Sequence, residues 1–341
     1  MDDRKASILR AIVSHYVRFG EPVGSKTIVE QYALRVSAAT VRNEMVALED
    51  LGYIYQPHTS AGRVPTDAGY RFVVDLSAEA RLGSAEARRV RALFGEPVWE
   101  LEEALRHAAS LLSDLTHHAA VVFAPALDRS TVRHVQLVAL SAGRAMLVLV
   151  TDTGRVENHV VLVPPEMDDV HLQGTAEMLN RVLQGSPLET APATLREALG
   201  RFPLEQREVV GSVAGTLADA LLEGEPERIF LEGTSNIVDE EKFADLETVR
   251  QVIEALEHRR LLFELLAESL SSEKVSVRIG RENPIREMQL CSVITASYGG
   301  RGHPLGSLGV VGPTRMDYGR TIAAVREVAG SLGRMLTGIG N

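Results

Sequence analysis

The stretch from Gly24 to Gly52, GSKTIVEQYALRVSAATVRNEMVALEDLG, constrains the fold of this chain most strongly, because its punctuation predicts two short helices joined by a tight turn. Ser25 can cap a first helix over Lys26–Tyr32, and Ser37 a second over Ala38–Leu51, since a serine hydroxyl accepts from the free amide groups of a first turn. Gly52 supplies a C-terminal stop. Val41, Met45, Leu48 and Leu51 recur at helical spacing and predict one buried stripe. The opposite face falls to Ala39, Thr40, Arg42, Asn43 and Val46. Thr, Arg and Asn in the first turns of a helix, beside small residues, suit entry into a DNA major groove, where they can meet base edges. An ordinary surface helix with polar residues fits the same pattern, because capped helix pairs are common.

The residues that follow favour the nucleic-acid reading. Tyr53–Gln56 alternates as a short strand, Pro57–Gly62 is rich in turn formers, and Arg63–Thr66 reads as the returning strand. This hairpin would be the wing of a winged helix. Its tip, His58, Thr59, Ser60, Ala61, Gly62 and Arg63, offers hydroxyls, backbone N–H groups and a guanidinium, all suited to phosphate or minor-groove contacts. On this reading Thr40, Arg42 and Asn43 address bases, while Ser25, Lys26, Ser37, His58, Thr59, Ser60, Gly62 and Arg63 hold the DNA backbone.

Net charge tests that reading. The chain of 341 residues carries −10, unusual for a nucleic-acid binder, yet residues 1–75 hold nine Lys/Arg and nine Asp/Glu, so all the acidity lies beyond them. A neutral reading domain has modest non-specific affinity, which two linked copies on a two-fold operator would offset. The length suits two or three domains. One cysteine, Cys291, leaves no internal disulfide and no Cys-based zinc site, as fits a reducing cytosol. No apolar run approaches membrane-spanning length and no export signal is read, so a cytoplasmic protein without membrane association is expected.

Further along, Asp3–Phe19 is an amphipathic helix, and Asp67–Leu76 starts a helix leading out of the first domain. Residues 77–98 read as a connection; Arg88, Arg89 and Arg91 there suit a solvated face better than a phosphate contact. Trp99–Thr116 is helical. Strand-like runs follow at Ala119–Phe123, Val132–Leu140, Arg144–Val150 and Val156–Val163, with hairpin turns between the later ones. Pro164-Pro165 opens a mostly helical section to about Ser269 that includes a strand-like Arg228–Leu231. Strands return at Val275–Ile279, Leu290–Tyr298 and Gly306–Val311 before a last helix over Tyr318–Leu336. Strands before and after a helical section predict one sheet domain with an insertion.

Chemistry-bearing patterns are sparse in this second part. His107, His117 and His118 have no carboxylate pair at ligand spacing, so no metal is expected. The glycines of 298–306 lie between strands and match neither a dinucleotide fingerprint nor a phosphate loop. GxSxG, HExxH and a glycine-rich loop with lysine do not occur. No catalytic residue and no cofactor is assigned, and no enzyme activity is expected.

The segment Glu21–Asp75, with VSAATVRNEMVALEDLGYIYQPHTSAGRVPTDAGYR as its most specific part, resembles the start of the bacterial heat-inducible transcription repressor HrcA family. Leu231–Ile237 (LEGTSNI) and Leu305–Val325 (LGSLGVVGPTRMDYGRTIAAV) resemble later motifs of that family. The resemblance implies an α+β architecture: an N-terminal winged helix-turn-helix, then a GAF-like antiparallel sheet domain interrupted by a mostly helical inserted dimerisation domain. Placed on this chain, these would occupy 1–76, then 99–164 with 270–341, and 165–269. The resemblance further implies a homodimeric repressor of chaperone operons that binds an inverted-repeat operator, with activity promoted by the chaperonin GroEL. A winged-helix regulator controlled by a small molecule in the GAF-like domain is the alternative.

Overall fold

A computed structural model of the chain describes residues 1–32, 34, 36–59, 61–76, 80–95, 101–125, 130–223, 229–238, 246–258, 261–262, 265–266, 274–300 and 303–339. The N-terminal unit begins with α1 (Asp3–Phe19), capped by the Asp2 carboxylate accepting from the Lys5 N–H. Helices α2 (Ser25–Gln31) and α3 (Ala38–Asp50) follow. Ser37 caps α3 as expected, but the residue before α2 is Gly24, without a side-chain cap, and Ser25 is already the first helical residue. Extended backbone at Gly24 (φ −93°, ψ 158°) lets the helix begin one residue early. Strands β1 (Ile54–Tyr55) and β2 (Val64–Pro65) form the antiparallel hairpin, and a bridge from Val23 to Arg63 ties it to the approach to α2.

Burial explains why these pieces hold together. Ile8, Leu9, Ile12, Ile28, Val41, Leu48 and Ile54 are almost fully enclosed, and each such side chain contributes on the order of 1.5–3 kcal/mol. Leu51, expected in the same stripe, is instead 58% exposed, because α3 ends at Asp50 and the chain turns away through Gly52 at φ +77°.

Helix α4 (Asp67–Leu76) leads into α5 (Ser84–Leu93) and α6 (Leu101–Thr116). The stretch expected to be only a connection therefore contains a packed helix. Its Val90 is fully buried, and Glu86 and Arg89 pair with Arg320 and Asp114.

The main sheet comprises β3 (Ala119–Phe123), β7 (Ile229–Glu232), β8 (Ser276–Ile279), β9 (Cys291–Gly300) and β10 (His303–Pro313), in the order β7-β3-β10-β9-β8 and antiparallel throughout. Both faces are covered, so β3 is buried at every residue. Ala120, Val122, Ile294 and Val310 share a core with α6 and the last helix, α11 (Tyr318–Ile339). Ala119, Val121, Val293 and Val311 pack against α10 (Leu246–Glu257). Alternating side-chain direction along a strand feeds these two cores separately.

The remaining strands, β4 (Val132–Ser141), β5 (Arg144–Thr151) and β6 (Val156–Leu162), form a separate three-stranded sheet backed by α7 (Asp169–Leu183), α8 (Ala191–Ala198) and α9 (Arg207–Glu223). Their core is their own, with Leu147, Leu149, Leu172, Leu179, Leu195, Phe202 and Val213 among its members. This differs from the expected division at residue 164. The chain leaves the main sheet just after β3, and of the elements expected within the helical insertion β7 is a strand of the main sheet and α10 packs against its face. The reason is pairing range. The β4–β5 and β5–β6 turns are local, whereas β3 pairs with β10 across almost the whole later chain, and strand periodicity carries no record of the partner.

Candidate nucleic-acid interface

The exposed face of α3 is built by its cap and its burial pattern. Ser37 Oγ accepts from the Thr40 N–H at 3.1 Å and lies 3.0 Å from Thr40 Oγ1, so the half-buried Thr40 hydroxyl is engaged in the cap. With Val41, Met45 and Leu48 turned inward, Ala39, Arg42, Asn43 and Val46 face solvent along one side. This is the i, i+3, i+4, i+7 geometry of one helical face. Arg42 and Asn43 have no hydrogen-bond or ion-pair partner among the described residues. Glu44, the acid nearest them in sequence, is drawn to the other side by Lys5 at 3.0 Å and Arg4 at 3.6 Å. The face therefore presents a free guanidinium and a free amide on a rigid rod, with a small residue beside them. That donor and acceptor set can engage base edges.

The other sequence-derived candidates divide. Lys26 is exposed at the start of α2, Ser25 is half-buried beside it, and Ser37 is exposed where α3 begins. His58 and Thr59 are exposed at the hairpin tip, while Ser60 lies outside the described residues. Arg63 points inward: its Nη2 is 2.8 Å from Glu49 Oε2, its side chain is 17% exposed, and it spans from the hairpin to the end of α3. Gly62 is demanded by packing, since a Cβ there would sit 2.5 Å from the Val23 carbonyl. These two residues shape the hairpin.

Gln56 went unnoticed in the sequence. Its Nε2 donates to the carbonyls of Thr59 at 2.9 Å and Ala61 at 2.8 Å, bracing the tip from within. No spacing rule reveals this, because the bonds depend on the finished turn.

The N-terminal unit is docked on the main sheet through α4. Arg71 pairs with Glu282, and partial burial of the Glu282 carboxyl is outweighed by the hydrogen bond from Arg71 and the Ile279 N–H, leaving it below the ordinary glutamate range. The same contact raises the Arg71 guanidinium. The two later motifs also have structural duties. Asn236 donates to Ser113 Oγ at 3.0 Å, joining the turn after β7 to α6, and Tyr318 O–H donates to the Thr314 carbonyl at 2.7 Å at the start of α11.

Comparisons bear on this assembly. Residues 102–322 match the family described as HrcA protein C terminal domain. The chain belongs to the HrcA family. Heat-inducible transcription repressor HrcA of Nocardia farcinica (strain IFM 10152) is 44% identical over 336 residues, covering 98% of this chain and 97% of that protein. HrcA of Thermobifida fusca (strain YX) is also 44% identical, over 338 residues and 99% and 98% of the two chains. A crystal structure described as that of a hypothetical protein at 2.2 Å resolution matches with a TM-score of 0.68 and 25% identity across 99% of each chain. HrcA proteins are transcription repressors and not enzymes, and this chain is a mixed helix and antiparallel-sheet molecule.

The histidines considered as metal ligands diverge. His117 is exposed and takes φ +55° in the turn after α6, whereas His118 is buried against Gly312. Among the described residues no group of three or more His, Cys, Asp or Glu could hold a metal ion, and no helix is long and apolar enough to cross a membrane. Cys291 is buried, and its thiol is pushed up to about 12 by that burial.

Proposed function

We propose that this HrcA-family repressor binds an inverted-repeat operator of chaperone genes as a homodimer, with residues 1–76 acting as a winged helix-turn-helix and β1–β2 as its wing. The observation that carries the reading is the unpartnered Arg42 and Asn43 on the exposed face of a capped α3. Arg42 pairs with guanine, Asn43 with adenine, and Thr40 lays its methyl against thymine while its hydroxyl stays in the cap. Ser25, Lys26, Ser37, His58 and Thr59 contact phosphates. Gly62 and Arg63 hold the wing in shape, so any phosphate contact by Arg63 requires it to leave Glu49.

The dimer part rests on the outer face of the three-stranded sheet. Val138, Met146 and Val160 lie in one cross-strand row, and Val156 and Leu162 extend it, with Val160 56% and Leu162 66% exposed. Monomers seldom leave such a patch in water. A second copy covering it makes residues 130–223 the dimerisation unit, inserted into a GAF-like domain whose five antiparallel strands are covered on both faces by helices. Promotion of the binding-competent state by GroEL and action in the cytoplasm, with the DNA, belong to the same proposal and fit the family. Two described clefts, one lined by Arg81, Arg91 and Arg326 and the other by Arg89, His107 and Asp114, lie beside α5 and outside the sheet cores, and neither favours the small-molecule alternative.

The test is binding of the purified protein to labelled inverted-repeat and scrambled duplexes over a range of salt, with and without GroEL. Preference for the repeat, strengthened by GroEL, supports the proposal; equal binding to both duplexes sinks it.

A further inference from the structure

The joint between the N-terminal unit and the main sheet is built from side chains that the DNA-reading assignment leaves unused. Arg71 on α4 acts as a fork. Its Nε donates to Glu282 Oε1 at 2.8 Å, its Nη2 donates to Glu282 Oε2, and Nη2 also donates to the Val277 carbonyl at 2.6 Å. Glu282 is itself held by the Ile279 N–H at 2.9 Å, so the acceptor is positioned independently of Arg71. One helical turn earlier, Asp67 accepts from the Arg281 N–H at 3.1 Å. Between these contacts Gly280 adopts φ +52°, and a Cβ there would sit 2.2 Å from Asp67 Oδ2. Only glycine lets the Asp67 carboxylate lie this close to the chain at 280, in a backbone conformation that other residues rarely adopt.

Apolar packing crosses the same joint. The Tyr70 ring lies 5.6 Å from that of Tyr318, whose hydroxyl is 2.6 Å from Ser292 Oγ on β9. Ile8, Ile12, Tyr70 and Val74 of the N-terminal unit share one continuous core with Leu105, Ile279, Ile322 and Val325. Planar fork contacts fix orientation as well as distance, and a shared core resists sliding.

We propose that Asp67, Arg71, Gly280 and Glu282 form a rigid strut that fixes the orientation of α3 on the main sheet and thereby sets the half-site spacing an operator must have. The proposal rests on the DNA-reading assignment above and adds to it positioning residues that touch no DNA. In a two-fold dimer the two reading helices are connected through strut, main sheet and dimer contact. A stiff strut imposes one separation, and a loose one allows a range. Linked binding events reward only the separations that the linkage can reach.

Two readouts on the full-length protein test this. Spin labels at Asp50→Cys on α3 and Glu257→Cys on α10, both exposed positions, report the distance from reading helix to main sheet. Cys291 is buried and stays unlabelled. A duplex series in which the spacer between half-sites changes by single base pairs reports spacing preference. The native protein gives one narrow distance and loses about 100-fold in affinity half a helical turn from its optimum. R71A and G280A each broaden the distance and reduce the spacing penalty to less than about tenfold, with affinity for a single half-site retained. R71K keeps the charge without the fork, stays folded and falls between native and R71A. R89A, which removes the Arg89–Asp114 pair away from the joint, changes neither readout. A narrow, unchanged distance in R71A and G280A overturns the strut. A broadened distance with the native spacing preference overturns its role in spacing, as does a native protein indifferent to spacing; the latter also counts against the DNA-reading assignment, while the distance readout judges the strut separately.

Discussion

Two exposed faces of this molecule have opposite chemistry. On α3 the outward positions are Ala39, Arg42, Asn43 and Val46, directional hydrogen-bonding groups set among small residues on a capped helix. On the three-stranded sheet the outward positions include Val138, Met146, Val148, Val156, Val160 and Leu162, which offer no hydrogen bonds and only gain by leaving water. Directional groups can tell one base pair from another, whereas apolar area supplies association energy of roughly 25 cal/mol per Å² without discriminating. The contrast fits the proposed division of labour, with sequence reading on the first face and self-association on the second.

The largest effect that would break this contrast comes from the sheet. Val160→Glu places a charge within the apolar face, on the edge strand β6, and the account expects a monomer in light scattering and a loss of operator affinity of about 100-fold or more, because the second half-site no longer binds as a linked event. A dimer that survives with native affinity would return that face to solvent. Next comes Arg42→Ala, expected to cost about 1–3 kcal/mol on the operator and to relax preference at one position while leaving random DNA nearly untouched. Competition with single-base operator variants measures it, and equal losses on both DNAs would contradict the base-reading role.

Smaller effects separate shape from contact. Arg63→Ala removes the link between hairpin and α3, and a fall in stability of about 1 kcal/mol in urea titration is expected, with the salt dependence of DNA binding unchanged. A shallower salt slope for this variant would make Arg63 a phosphate contact after all. Lys26→Ala gives the smallest change, a uniform weakening on all sequences with the log–log salt slope reduced by about 1.

Legibility in the sequence tracked the range of the interactions. The α3 cap by Ser37, the stop at Gly52 and the inward Val41, Met45 and Leu48 follow from neighbours within a few residues, and all were readable. The exposed face with Arg42 and Asn43 was readable for the same reason. Arg63 was not, because its partner Glu49 meets it only once the hairpin has folded back on α3. The division of strands between two sheets was hidden too. Nothing local marks Ala119–Phe123 as the partner of Leu308–Val311 while Val132–Leu162 pairs within itself. Arg71 and Glu282, separated by 211 positions, were invisible for that reason as well.

The most direct test of the central claim is the salt dependence of binding to an inverted-repeat duplex and its scrambled control, comparing native protein with Arg42→Ala and Val160→Glu. The account predicts that the native protein prefers the repeat, that Arg42→Ala loses preference more than overall affinity, and that Val160→Glu loses affinity for the repeat while keeping that for a single half-site. Indistinguishable binding of the native protein to repeat and scramble at every salt concentration would contradict it.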